Sequence, residues 1–133
     1  VLYKIEMYIT LYKPNTKMEV GKRYIFVGTD NKTYTGDVVY VTDTVVIIEN
    51  RSCESYKHSG GLFSTERSLI KWVFPIDDLI EGQRYIFTIH TDNNTLDGTF
   101  INISGRNDTV HLKTSDAGIN SFTLYCVKNI HKI

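Results

Sequence analysis

The sequence predicts an all-β protein made of two tandem small units from an internal duplication, preceded by an N-terminal strand. Three observations carry this. The stretch GKRYIFVGTDNKTYTGDVVYV, residues 21–41, returns as GQRYIFTIHTDNNTLDGTFINI, residues 82–103. Apolar runs throughout are short, rich in β-branched and aromatic residues, and broken by Asp-Asn, Gly and Asn-Asp turn signals. At the N-terminus, VLYKIEMYITLY alternates apolar and polar residues with the period of a strand.

In chain order, residues 1–17 form the N-terminal strand and a linker. Val1, Tyr3, Ile5, Met7, Ile9 and Leu11 fall on one side, Lys4, Glu6 and Thr10 on the other, and Pro14 ends the element. This strand has no counterpart later, so it is expected to seal an edge of its own chain or lie across a neighbouring one. Residues 18–79 are the first repeat and 80–133 the second. The match starts at Gly21 against Gly82, takes one inserted residue in the second copy, and places Gly36 on Gly98. At the ends, IKWVFPIDDL from Ile70 is set on LYCVKNIHKI from Leu124. Units of this size are near the lower limit for independent folding.

Alternation along a strand assigns faces. Val39 and Val41 are set on Ile101 and Ile103, and Val45 and Ile47 on Val110 and Leu112. These doubly apolar positions are the expected core. The alternates Val38, Tyr40, Val46 and Ile48 then face the other way, against Phe100, Asn102, His111 and Lys113. That face is greasy in the first unit and polar in the second. Tyr40, Val46 and Ile48 are therefore the candidate contact residues, covered by the second unit, the N-terminal segment or an external partner. Residues 50–67 read as a long loop between the third and fourth strands, and its Arg51, Lys57 and Arg67 are candidate binding residues.

Bulk composition narrows the function. With 41% apolar and 23% charged residues the chain is an ordinary globular one rather than a disordered one. Fifteen basic residues balance fifteen acidic ones, and neither repeat carries a basic excess of the kind that holds phosphate backbones. Cys53 and Cys126 have neither disulfide-framework nor zinc spacing, and are read as reduced thiols of an intracellular protein. No apolar run is long enough for a membrane span, and no signal-peptide pattern opens the chain. The richness in Ile, Asn, Lys and Tyr resembles that of proteins from large DNA viruses and some parasites.

Five short strands, a glycine in a bent second strand and a variable third-to-fourth loop resemble the SH3-like small barrels, the group that includes Sm-like, Tudor and KOW folds. The resemblance covers both units. TYTGDVVYVTDTVVIIEN resembles the first Sm motif, with Gly36, Asp43 and Asn50 as the nearest matches. The second unit has Gly105 in place of that aspartate, and the arginine-glycine of the second Sm motif is absent from KWVF and YCVK. The resemblance implies a 3₁₀ step around PIDDL and NIHKI. A Tudor-type aromatic cage would draw on Tyr24, Tyr34, Tyr40 and Trp72, although Trp72, between Ile70 and Phe74, also suits a core role.

Chemistry-bearing residues form no constellation. His58, His90, His111 and His131 are scattered, Asp77-Asp78 is a turn pair, and Asp30-Asn31 and Asp92-Asn93 suit turns better than calcium loops. The sequence therefore predicts no enzyme, no cofactor, no metal, no small-molecule substrate and no membrane partner. It predicts a binding or structural module acting through protein contacts or self-association, with a larger viral assembly as one setting. The alternative is a nucleic-acid-binding tandem small barrel, using Lys22-Arg23, Arg84 and the long loop.

Overall fold

The computed structural model describes residues 9–10, 17–53, 61–89, 94–105, 108–114 and 118–133. Lys57, His58 and His90, and most of the N-terminal alternation, lie outside them. The first unit contains β2 (Arg23–Gly28), β3 (Thr33–Val41), β4 (Val45–Cys53), β5 (Leu62–Glu66) and β6 (Ile70–Pro75). The second contains β7 (Arg84–Ile89), β8 (Asn94–Ser104), β9 (Thr109–Thr114), β10 (Gly118–Thr123) and β11 (Val127–Lys132). All pairings are antiparallel. The first sheet runs β5-β4-β3-β2-β6 and the second β10-β9-β8-β7-β11, so the units share one strand order. A short strand β1 (Ile9–Thr10) adds to β11, pairing Ile9 with Lys132 and Thr10 with His131, and so lies on an edge of its own chain.

Corresponding residues fill the two cores. Tyr24 and Tyr85, Phe26 and Phe87, Val38 and Phe100, Val46 and Val110, Ile48 and Leu112, Ile70 and Val127, and Val73 and Ile130 are all buried. The two tyrosines even use their polar ends alike. The Tyr24 hydroxyl accepts the Glu19 amide proton at 2.8 Å and the Tyr85 hydroxyl accepts that of Ile80 at 2.9 Å. Burial of such an aromatic body is favourable only when its hydroxyl keeps a partner.

This pairing corrects the face assignment made from sequence. Val46 and Ile48 are fully buried inward residues of the first core, whereas Val39 is exposed and Val45 and Ile47 are half-buried. In β4 the repeat match is one residue off, since Val46 and Ile48 occupy the positions of Val110 and Leu112; in β3 a β-bulge breaks the count. Val38 pairs with Ile48 and Tyr40 with Ile47, leaving Val39 unopposed; Phe100 pairs with Leu112 and Asn102 with His111, leaving Ile101 unopposed. The extra residue flips the alternation, and a one-residue slip moves every side chain to the opposite face.

The last strands are corrected too. A 3₁₀ turn precedes each of them, at Arg67–Leu69 and Leu124–Cys126, so Ile70 corresponds to Val127 rather than Leu124. PIDDL holds the expected 3₁₀ turn, Ile76–Asp78, whereas NIHKI lies in β11. Part of the long loop read over residues 50–67 is strand, since β4 runs on to Cys53 and β5 spans Leu62–Glu66, while residues 54–60 lie outside the described residues.

Gly36 and Gly98 are required by close approach. A Cβ on Gly36 would lie 2.8 Å from the Glu49 carbonyl oxygen and 2.9 Å from Ile48 Cδ1. On Gly98 it would lie 3.1 Å from Leu112 Cβ and from the Lys113 carbonyl oxygen.

Two units of the same core meet through an unshared face. The outward side of β2 and β6 carries Ile25, Val27, Trp72 and Phe74, which join the core cluster of the second unit. Each such apolar side chain, fully buried, contributes about 1.5–3 kcal/mol. The corresponding residues of the second unit are Ile86, Thr88, Asn129 and His131, all only partly buried.

Polar groups fix the register of this contact. Asp108, almost fully buried and held at a left-handed φ of 52°, reaches from the β8–β9 turn into the first unit. Its carboxylate accepts from Arg51 Nε at 3.1 and 3.3 Å, from Arg23 at 3.3 Å and from the Thr35 hydroxyl at 3.2 Å. Thr33, also fully buried, donates its hydroxyl to the Val127 carbonyl at 2.9 Å.

Two outcomes are expected. Asp108→Asn keeps the side-chain shape and tolerates the left-handed backbone, so it removes chiefly the charge; urea denaturation should show a loss of about 1.5–3 kcal/mol. Gly36→Ala should cost about 1–3 kcal/mol, more than Gly98→Ala, because its new contact is with backbone at shorter range.

Candidate functional site

Beyond Thr33, Thr35 and Arg51, which meet the second unit, the outer face of β3, β4 and β5 is exposed at Tyr40, Glu49, Leu62 and Ser64. Cross-strand neighbours point to the same side, so the pairings define its rows. Asp37, Glu49 and Leu62 form one row; Tyr40, Ile47 and Ser64 form the next; Val45 and Glu66 close it. Tyr40 is 54% exposed and Leu62 73%, with Val39 exposed at the bulge beside them. Large apolar groups are thus presented on a regular sheet surface rather than on a loop.

The Tyr40 row is polar in the second unit, whereas Leu62 is matched there by Ile119, also exposed. Asn102, His111 and Ser121 stand where Tyr40, Ile47 and Ser64 stand in the first. His111 lies between two hydroxyls, Ser104 and Ser121, each 2.7 Å from one ring nitrogen. The asymmetry expected between the units is therefore present, but Tyr40 and Ile47 carry it. Of the apolar residues singled out from sequence, Tyr40 lies on this surface, while Val46 and Ile48 lie beneath it in the core.

The basic candidates separate as well. Arg51 is committed to Asp108 across the units, and Arg67 donates to the Thr42 carbonyl at 3.0 Å. Lys57 lies outside the described residues. At the strand entries, Lys22 pairs with Glu19 at 3.1 Å, and this hydrogen-bonded carboxylate raises the lysine pKa. Arg23 pairs with Asp37 at 2.9 Å and Arg84 with Asp97 at 2.6 Å. These cations face carboxylates within the chain.

The four cage candidates do not converge. Tyr24 and Tyr34 belong to the first core, Tyr40 is on the outer face, and Trp72 packs at the contact between units with Lys71 Nζ 5.8 Å from its ring centroid. Tyr34 stacks on Phe26 at 5.2 Å and meets the edge of Phe63 at 5.5 Å. Asp108, Thr33 and Thr35, central to the contact between units, were missed by sequence reasoning. The one available signal was that Thr35 and its counterpart Asp97 differ in charge within an otherwise repeated stretch.

Among the described residues, no three or more His, Cys, Asp or Glu side chains are grouped to hold a metal ion, and no helix is long and apolar enough to cross a membrane. Compared with known protein families, the chain matches no family model, and compared with curated proteins it matches none.

The corrected faces have a direct test. Ile48→Ala should cost about 2–5 kcal/mol in chemical denaturation, as expected for a filled core position. Tyr40→Ala should change stability by no more than about 0.5 kcal/mol.

Proposed function

We propose that the protein is a non-catalytic module of two SH3-like small barrels that acts through protein contacts, as a component of a larger assembly. The barrel reading is supported by the shared strand order, with the last strand beside the first, and by the 3₁₀ turn ahead of each last strand. The contact reading rests on one observation. On the outer face of β3–β4–β5 the first unit has Tyr40 and Ile47 where the second has Asn102 and His111, and the exposed Leu62 lies in the adjoining row. A duplicated surface that stays polar in one copy and apolar in the other marks the apolar copy as an interface. The neutral charge and the pairing of Lys22, Arg23, Arg51 and Arg84 with carboxylates favour a protein partner over nucleic acid.

Affinity capture from cells producing the tagged chain tests this reading. Tyr40→Asp combined with Leu62→Asp should reduce the co-purified partner at least about tenfold with unchanged thermal melting, since about 1.4 kcal/mol of lost contact energy suffices. Ile119→Asp, at the counterpart of Leu62 in the second unit, should leave capture intact. Equal recovery from wild type and double variant would remove the face from consideration.

A further inference from the structure

We propose that the partner docks on the first unit as an extended strand added to the free edge of β5, with lysine or arginine beside its apolar side chains. This inference rests on the protein-contact reading of the outer face and specifies the occupant.

The edge comes first. Among the described residues β5 has a sheet neighbour on one side only, β4. Its sequence, LFSTE, has one charge at its end and no proline, so it lacks the usual devices that discourage pairing. A strand laid along it would gain main-chain hydrogen bonds. Its outward residues would continue the rows of Leu62, Ser64 and Glu66.

Charge selects what that strand carries. Segments 33–50 and 61–66 contain four carboxylates, Asp37, Asp43, Glu49 and Glu66, and neither Lys nor Arg. Asp37 is occupied by Arg23, and Arg67 at the segment's end reaches the Thr42 carbonyl. Glu49 and Glu66 are exposed on the rows that hold Leu62 and Val45. A shallow concavity of about 380 Å³ opens at the Glu66 end of the strand, lined by Asp43, Thr44, Val45, Glu66 and Arg67. Cationic side chains on the outward row of such a strand lay their stems along Leu62 and reach Glu49, Glu66 and Asp43, while its alternate apolar residues fall on the side of Phe63.

The second unit provides the contrast. Its free edge, β10, carries no charged residue, and the face beside it presents Lys113 and the hydroxyl-bound His111. An extended cationic strand is therefore matched by the first unit's edge and not by the second's.

Fluorescence anisotropy with three labelled, capped eight-residue peptides tests the proposal on the full chain. One alternates Lys and Val, one Thr and Val, one Glu and Val. The Lys-Val peptide should bind at least about tenfold tighter than Thr-Val at about 50 mM salt, with the gap narrowing at about 200 mM. Glu49→Gln with Glu66→Gln should abolish the preference, and N-methylation of alternate Lys-Val amides should abolish binding. Equal binding of Lys-Val and Thr-Val would overturn the charge selection yet leave the contact face standing. Undiminished binding of the N-methylated peptide, or of Lys-Val to the double variant, would overturn the β5 site. No binding by any peptide would overturn the proposal; the contact reading falls separately, if capture survives Tyr40→Asp with Leu62→Asp.

Discussion

The carboxylate of Asp108 ties the two units into one arrangement. It is an almost fully buried anion on a turn of the second unit, and its partners, Arg23, Arg51 and Thr35, all come from the first. An anion taken so far out of water demands compensating donors, and only one placement of the units supplies all of them. Apolar burial of Ile25, Val27, Trp72 and Phe74 drives the units together, but such contacts tolerate sliding. The directional bonds to Asp108, with the Thr33 hydroxyl on the Val127 carbonyl, select one register. Arg23 and Arg51 keep about a third of their side-chain surface in water, which lowers the cost of burying their partner.

Duplication preserved the inside of the unit and rewrote its outside. The core pairs match in chemistry, down to the two tyrosine hydroxyls capping equivalent amides. The outer faces diverged in two places. Where the first unit has Ile25, Val27, Trp72 and Phe74 to receive its neighbour, the second has Ile86, Thr88, Asn129 and His131. Where Thr35 leaves room for Asp108, the second unit has Asp97, already bridged to Arg84. A third unit arriving in the same way would bring its turn against that carboxylate. The second unit thus does not offer a further copy the surface that the first unit offers it. Divergence at Tyr40 and Ile47 against Asn102 and His111 is separate, because these positions lie in another row of the face than Thr35.

Legibility differed by level. The duplication, the strand-rich character and the polarity difference between the units were visible, because turn signals and period-two patterns are local. The face assignment failed because the bulges at Val39 and Ile101 break the residue count in β3 and β8, and because the repeat match set Val45 rather than Val46 on Val110. The ends were misaligned because a 3₁₀ turn before β6 and before β11 moves the match by three positions. Part of the supposed loop over residues 50–67 is strand because LFSTE, short and mixed in polarity, becomes a strand only by pairing with β4.

By itself the sequence determined what each segment prefers: short strands, glycines where a bent strand meets its neighbour, two repeats, and no net charge to attract phosphate. Only the tertiary structure decided which apolar residues are core and which are surface, and which charges are spent within the chain. Asp108, Arg51 and Thr35 are distant in sequence and carry no local pattern that joins them. Their relation exists only after two sheets have packed, since desolvation and hydrogen-bond geometry act across space rather than along the chain.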